Sequence, residues 1–503
     1  MLSWMLLPAF FGLGPSLLSA AAVLTAPTPE ISTQSYTWKN VRIGGGGGFV
    51  PGIVFNPTEK GLAYLRTDIG GVYKLNSDDS WTPLVDFADN THWDYWGSDA
   101  LATDPVDTQR LYIAAGMYTN SWDPNNGTIL ASTDQGKTFT ESSLPFKVGG
   151  NMPGRGTGER LAVDPHSNNI LLFGARSGHG LWKSTDFGAT WTQVTSLPDS
   201  GTYAPDPTDS SGINSDPTGV TFVTFDSTSG ATGQATPRIF VGVASVGSPN
   251  IFVSDDAGQS WSAIQGTNSS WMAHKGVLSP KEGALYLSTS DGVGPNDGTI
   301  GALYKYDIAS GNITNISPVS GSDLTFGFGG LAVDLQESGT VMVAALNSWW
   351  PDGQVWRTTD GGSTWSPLWE WEDYPVLNKY YAYDDSLAPW IGPDYTNPAI
   401  IQQIGWWMEA LAIDPFDSNH WLYGTGETVY GGHDLLDWDT VHNVTLKSLA
   451  DGIEEDAVEG LISPPAGPPL LSAVGDNGGF VHLNLDTAPT AAARFSPLWS
   501  TNV

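Results

Sequence analysis

Four stretches of this chain repeat one phrase, Ser/Thr-x-Asp-x-Gly-x-Ser/Thr followed by an aromatic ring: Ser132 to Phe139, Ser184 to Trp191, Ser254 to Trp261 and Thr358 to Trp365. An Asp that opens a tight turn accepts backbone N–H groups, the Gly takes positive φ, and the ring packs between neighbouring sheets. A phrase with that content, recurring along 503 residues, calls for a fold of like units, each burying its apolar face only against the next. Asp134, Asp186, Asp256 and Asp360 are therefore expected to be structural.

A second phrase opens each unit: Ile53-Val-Phe-Asn-Pro, Leu101-Ala-Thr-Asp-Pro, Leu161-Ala-Val-Asp-Pro, Val220-Thr-Phe, Val277-Leu-Ser-Pro, Leu331-Ala-Val-Asp and Leu411-Ala-Ile-Asp-Pro, with an eighth at Leu461-Ile-Ser-Pro. The apolar runs are short and long 3.6-residue stripes are absent, while 60 Gly and 34 Pro supply turns, so the chain reads as all-β. One repeat makes a four-stranded blade, and seven blades close a β-propeller spanning 34–440, with these Asp-box turns as its repeats. Tyr36-Thr-Trp-Lys-Asn-Val is expected to supply the outer strand of the seventh sheet. The similar Asn443-Val-Thr-Leu-Lys-Ser-Leu then heads a second propeller, of which 441–503 holds the beginning; one blade cannot close a ring, so this second unit reads as truncated.

The charge balance narrows the partners. With 53 Asp and Glu against 20 Lys and Arg, a net charge of −33 repels phosphate backbones and anionic lipid, so neither nucleic acid nor a membrane is expected. Residues 1–22 form a short apolar run ending in Ser-Ala-Ala-Ala and read as a signal peptide,. Five Asn-x-Ser/Thr sequons, at Asn126, Asn268, Asn312, Asn315 and Asn443, fit a glycosylated, secreted product. The chain has no Cys, so packing and strand closure must hold the fold. No Cys-x-x-Cys or His-Glu-x-x-His spacing occurs and the eight His are scattered; no metal or cofactor is expected, and a monomer is.

In an up-and-down propeller the loops joining strands two to three, and strand four to the next blade, share one face. Those loops carry Trp93, Tyr95, Trp96 and Asp99, then Trp122, then Trp349, Trp350 and Asp352, and lastly an insertion from Trp369 to Trp407 that ends in Trp406-Trp407. Trp191, Trp261 and Trp365 are expected between blades, whereas exposed loop rings offer flat platforms to the C–H faces of sugars, with Asp and Asn for hydroxyls. Trp93, Trp96, Asp99, Trp122, Trp349, Trp350, Trp406 and Trp407 are the candidate substrate contacts; Asp99, Asp352 and Glu427 are further carboxylates for hydroxyls or for tuning ionisation.

Two carboxylates occupy corresponding places in repeats one and eight: Arg66-Thr-Asp68-Ile-Gly-Gly and Val474-Gly-Asp476-Asn-Gly-Gly. Either Asp alone reads as a turn cap. Taken as a pair on two propellers they could flank a cleft and supply the two carboxyl groups that glycoside hydrolysis requires.

With these motifs in view the chain resembles the xyloglucan-specific hydrolases of glycoside hydrolase family 74, two-propeller enzymes with a cleft between the rings. The resemblance runs from about Tyr36 to the C-terminus and rests on Arg66-Thr-Asp-Ile-Gly-Gly-Val-Tyr, Trp96-Gly-Ser-Asp-Ala-Leu-Ala-Thr-Asp-Pro, Asn347-Ser-Trp-Trp, Tyr423-Gly-Thr-Gly, Asp451-Gly-Ile-Glu-Glu and Gly475-Asp-Asn-Gly-Gly. It implies Asp68 as general base, Asp476 as general acid, an inverting reaction and the β-1,4-glucan backbone of xyloglucan as substrate. A carbohydrate-binding propeller without turnover would show the same rings. A sialidase is disfavoured because its anionic substrate needs converging arginines, and a sorting receptor because cysteines and a membrane span are missing.

Overall fold

The computed structural model describes residues 41–43, 48–388, 390, 404–475 and 478–495, all within one compact unit, Val41–Val503. Residues 1–22, read above as a signal peptide, the segment 36–40 and Asp476 lie outside the described residues.

Each of the first six repeats folds into a four-stranded antiparallel sheet whose strands lie in chain order. The first is Gly52–Phe55, Ala63–Arg66, Val72–Leu75 and Trp81–Pro83. The leading strands of the later sheets are Ser98–Thr103, Leu161–Val163, Val220–Phe225, Met272–Ser279, Phe328–Val333 and, in the seventh, Ala410–Asp414. Each leading strand touches the next, and the seventh touches the first. The result is a closed seven-bladed β-propeller. A three-stranded sheet, Val458–Ile462, Leu470–Val474 and Gly478–His482, follows as the beginning of a second. Among the described residues no helix is long and apolar enough to cross a membrane.

The core is distributed over the seams between sheets. Leu62, Tyr64 and Val72 of the first sheet meet Leu101, Leu111, Ile113 and Leu130 of the second, with Phe139 against them. Trp191 joins the seam of sheets two and three, Trp261 that of three and four, and Trp365 that of five and six. Each fully buried aliphatic or Phe side chain contributes about 1.5–3 kcal/mol, so every seam holds its two blades without disulfides. The repeated Asp shapes the turn that delivers the ring: Asp134 accepts from Thr138 N and Oγ1 at 2.9 and 2.7 Å, and Asp256 from Ser260 N and Oγ at 2.8 and 2.6 Å. Asp186 and Asp360 do the same with Thr190 and Thr364.

The seventh sheet departs from expectation. Its outer place is filled by Val444–Ser448, antiparallel to Val429–Gly432, the segment that the sequence suggested as the head of the second propeller. A helical turn at Asp437–Thr440 returns the chain directly onto that edge, and Val444, Leu446 and Ser448 point into the core while Thr445 and Lys447 do not. A strand supplied by so short a connection costs little closure entropy. Tyr381–Asp384, from the long insertion, adds in parallel outside it and covers the edge. The first and seventh blades are then tied by Val50 N to Thr425 O at 3.1 Å, Trp81 N to Asp451 O at 2.7 Å and Trp81 Nε1 to Leu449 O at 2.8 Å.

Candidate active site

Asp68 sits in the loop between the second and third strands of the first sheet. The capping of that turn falls to its neighbour: Thr67 Oγ1 accepts from Gly70 N at 2.9 Å and donates to Gly71 O at 3.3 Å. Asp68 is thereby left for other work. Its side chain is nearly buried, and Oδ2 accepts from Arg155 Nε at 2.8 Å. A charge-assisted bond of this kind is shorter and stronger than a neutral one and holds the carboxylate in one orientation. Arg155 comes from the connection between blades two and three, and its guanidinium also lies over the rings of Phe49 and Trp407, 5.3 and 6.0 Å from their centroids.

That contact carries the site onto an aromatic platform. Trp407 meets Phe49 edge-on at 5.6 Å and Trp349 at 6.1 Å, while Trp349 stacks on Trp406 at 5.3 Å with planes 18° apart. Trp349 is 48% exposed and Nε1 donates to Asn347 Oδ1 at 2.6 Å. Tyr423-Gly-Thr-Gly explains itself here, because any Cβ at Gly426 would run into the Trp406 and Trp407 rings. Trp350, 70% exposed, groups with Trp371 and Tyr374. Trp122 is exposed against Tyr118, and Trp93 and Trp96 lie on the short 3-10 turn Trp93–Trp96 between the first two sheets, Trp93 half-buried and Trp96 exposed.

The other candidate carboxylates have different surroundings. Asp99 is not on the open face: it is 1% exposed, and its two oxygens take Arg176 at 2.8 and 2.9 Å with Arg160 at 3.6 Å. It belongs to a buried charged layer in which Arg66 bonds Glu159 at 2.9 Å and the backbone oxygens of Ser98 and Arg155. The arginines that lie scattered in sequence therefore do converge, but Arg155, Arg66, Arg160 and Arg176 all face carboxylates of the chain itself. Deeper in the layer, burial pushes Glu409 up and Lys275 down. Asp352 is 2% exposed and anchors the insertion by accepting from Gly353 N and Ile404 N at 2.8 and 2.9 Å; burial pushes it up to about 7. Burial likewise raises Glu427 to about 7, with Arg494 pulling the other way.

No metal-ligand spacing is visible in the sequence, yet folding brings Asp79, His420 and His433 within 4.8 Å on the seam of blades one and seven. The imidazoles are stacked, 4.2 Å apart and 15° from parallel, so their in-plane lone pairs run side by side instead of converging on one ion. His420 Nδ1 is taken by Asp414 at 3.1 Å and His433 Nε2 by Asp79 at 3.1 Å.

Among known proteins, a xyloglucanase of Hypocrea jecorina is 56% identical over 493 residues, 96% of this chain and 58% of the relative. The chain belongs to glycoside hydrolase family 74. An oligoxyloglucan-reducing end-specific xyloglucanase of Emericella nidulans is 33% identical, over 96% of the chain and 62% of that relative. The crystal structure of a family 74 xyloglucanase from Xanthomonas campestris superposes with a TM-score of 0.80 at 40% identity, covering 91% of this chain and 62% of that one. The chain thus spans about half the length of the curated relatives it matches. No protein-family model matches it. The sequence motifs single out Asp68 and the tryptophans Trp349, Trp406 and Trp407; Arg155 and Phe49, which lie against them in the structure, were not among the candidates, and no repeat around either marks it in the sequence.

Proposed function

We propose that this family 74 chain is a secreted hydrolase of the β-1,4-glucan backbone of xyloglucan, the polysaccharide its relatives' names refer to. The observation that carries the reading is the carboxylate of Asp68, held by Arg155, whose guanidinium also lies over Trp407 of an exposed tryptophan platform. Trp349 and Trp406 stack on the apolar faces of glucosyl units, with Trp350, Trp122, Trp93 and Trp96 as outlying contacts. Asp68 takes a proton from water as the water oxygen bonds to the anomeric carbon. Asp476 donates its proton to the departing glycosidic oxygen as the carbon–oxygen bond breaks, and configuration inverts, as in inverting glycosidases generally, whose carboxyl pairs leave room for a water at about 6.5–9.5 Å. Residues 1–22 serve as the leader, the sequons carry glycans, and the protein works as a monomer without metal or cofactor, on a neutral polymer that suits its acidic surface.

The test is release of new reducing ends from tamarind-type xyloglucan by the full chain, with an unbranched cellulose derivative and Asp68→Asn alongside. Release from xyloglucan that is lost in a folded Asp68→Asn protein supports the reading, and NMR of the first-formed anomer reads inversion. Binding of xyloglucan by the wild-type chain without release would make it a non-catalytic binding propeller and refute the catalytic reading.

A further inference from the structure

A second carboxyl group faces Asp68, and nothing in the two-carboxylate scheme uses it. Glu455 follows the seventh sheet and reaches back into the first blade. Its side chain threads between two glycines: a Cβ at Gly48 would stand 2.6 Å from Glu455 Cδ, and one at Gly70 would stand 2.5 Å from Glu455 Oε2. Gly70 is the first glycine of Asp68-Ile-Gly-Gly, so this position of the motif keeps open the passage through which Glu455 reaches Asp68. The residue is 7% exposed, and its Oε2 meets no hydrogen-bond donor.

The surroundings decide which of the two acids holds a proton. Asp68 has a cation on Oδ2. Glu455 faces Asp68 and the Thr67 hydroxyl, with Asp456 as a further negative neighbour; Tyr73 lies close by and donates its hydroxyl to Gly70 O at 3.0 Å, and Glu454 beside it is bonded to Ile43 N. Two carboxylates in contact cannot both stay charged at low cost, and the one without the cation takes the proton. Burial first, and then the charge of Asp68, push the Glu455 carboxyl well above its ordinary range.

We propose that Glu455 is a positioning residue that works as a neutral acid: its O–H donates to Asp68, completing with Arg155 a clamp that keeps the carboxylate ionised and turned toward the water it activates. The inference rests on Asp68 being the general base. During turnover the proton from water goes to Asp68, and Glu455 keeps its own. The pair is active with one proton between its two members, all of it on Glu455.

The experiment is the pH profile of kcat/KM on xyloglucan for wild type, Glu455→Gln and Glu455→Ala, together with infrared difference spectra of wild type against Glu455→Gln at neutral pH. Gln keeps a donor to Asp68, so its acidic limb is expected where the wild type has it. Ala removes the donor from a charged acceptor, so the acidic limb is expected about one to two pH units higher. The infrared difference is expected to show the loss of a protonated-carboxyl C=O stretch. If Glu455 were instead ionised beside Asp68, both variants would remove a like charge, the limb would move to lower pH in each, and no such band would be lost; that outcome overturns the proposal. Reduced activity or melting temperature with unmoved limbs in both variants assigns Glu455 a packing role and overturns it equally. The infrared arm needs no turnover, so an inactive chain would refute the hydrolase reading while still deciding the protonation of Glu455.

Discussion

Replacing Asp99 by Asn separates a buried anchor from a substrate contact. In the structure the carboxylate faces two guanidinium groups whose side chains are 2% and 0% exposed, Arg176 and Arg160. An amide in its place removes the negative charge that the two share and turns an N–H2 toward one of them. Breaking a buried pair by removing one partner costs about 3–5 kcal/mol, because the remaining charge is left uncompensated. At roughly 2.1 cal/mol/K of unfolding entropy per residue, a ring of about 400 residues that melts as one unit loses on the order of 4–6 °C in Tm. Burial pushes the Asp99 carboxyl up, but Arg160 and Arg176, with Arg66 behind them, outweigh it and hold it below the ordinary carboxylate range. A depressed folded-state pKa contributes stability that is full above the unfolded value, near 4, and is lost as pH falls through the folded value. Differential scanning fluorimetry from pH 7 down to 3 should therefore show the full gap between wild type and Asp99→Asn above about pH 5 and a narrowing gap below about pH 4. Adding Arg176→Met should recover part of the loss, since it removes one of the stranded charges. A variant that melts within about 1 °C of wild type, the scatter of an ordinary surface substitution, and binds xyloglucan weakly would return Asp99 to the substrate face and refute the reasoning.

Two further outcomes follow from the same geometry. Trp81→Phe removes the donor to Leu449 O on the seam of the first and seventh blades and should cost about 1–3 kcal/mol by leaving that buried carbonyl unpaired, read as a lower Tm with xyloglucan affinity unchanged; an unchanged Tm would mean that this bond does not help close the ring. Trp406→Ala removes the half-buried ring of the stacked pair with Trp349 and should weaken xyloglucan binding by about 3–10-fold, the worth of one aromatic stack, measured by affinity electrophoresis; equal mobility in the gel would exclude this pair from the substrate path.

What could be read from the sequence is what is local. The Asp turns, the leading strands and the ring count all follow from residues within a few positions of one another, and the structure places Phe139, Trp191, Trp261 and Trp365 on blade seams because each turn alone determines where its ring points. The strand Val444–Ser448 was visible as a strand but not as the seventh blade's, since alternation specifies a face and leaves the partner open. Asp99 misled for the same reason. An Asp at the head of a strand, as Asp99 is in Ser98–Thr103, looks the same in sequence whether it meets water or an arginine 77 positions away.

Arg155 marks the limit of such reading. It stands in Pro153-Gly154-Arg155 with no repeat around it, and only the ring brings it across 87 positions to Asp68. The structure nevertheless gives its meaning back to a local motif. In Arg66-Thr67-Asp68 each of the three residues fixes a different part of one site, for Arg66 holds the backbone oxygen of Arg155 at 2.9 Å, Thr67 caps the turn, and Asp68 takes the Arg155 side chain. The arginine that orients Asp68 is thus itself seated by Asp68's neighbour two positions before it, and Arg66 in turn is fixed by Glu159 at the head of the third blade. Moving any one blade would shift Asp68 through this chain of contacts, and displacements near 1 Å at a reacting group can cost about a hundredfold in rate. A buried charged layer is an expensive way to stabilise a ring; as a device for registering loops from three blades around one carboxylate, its cost has a reason.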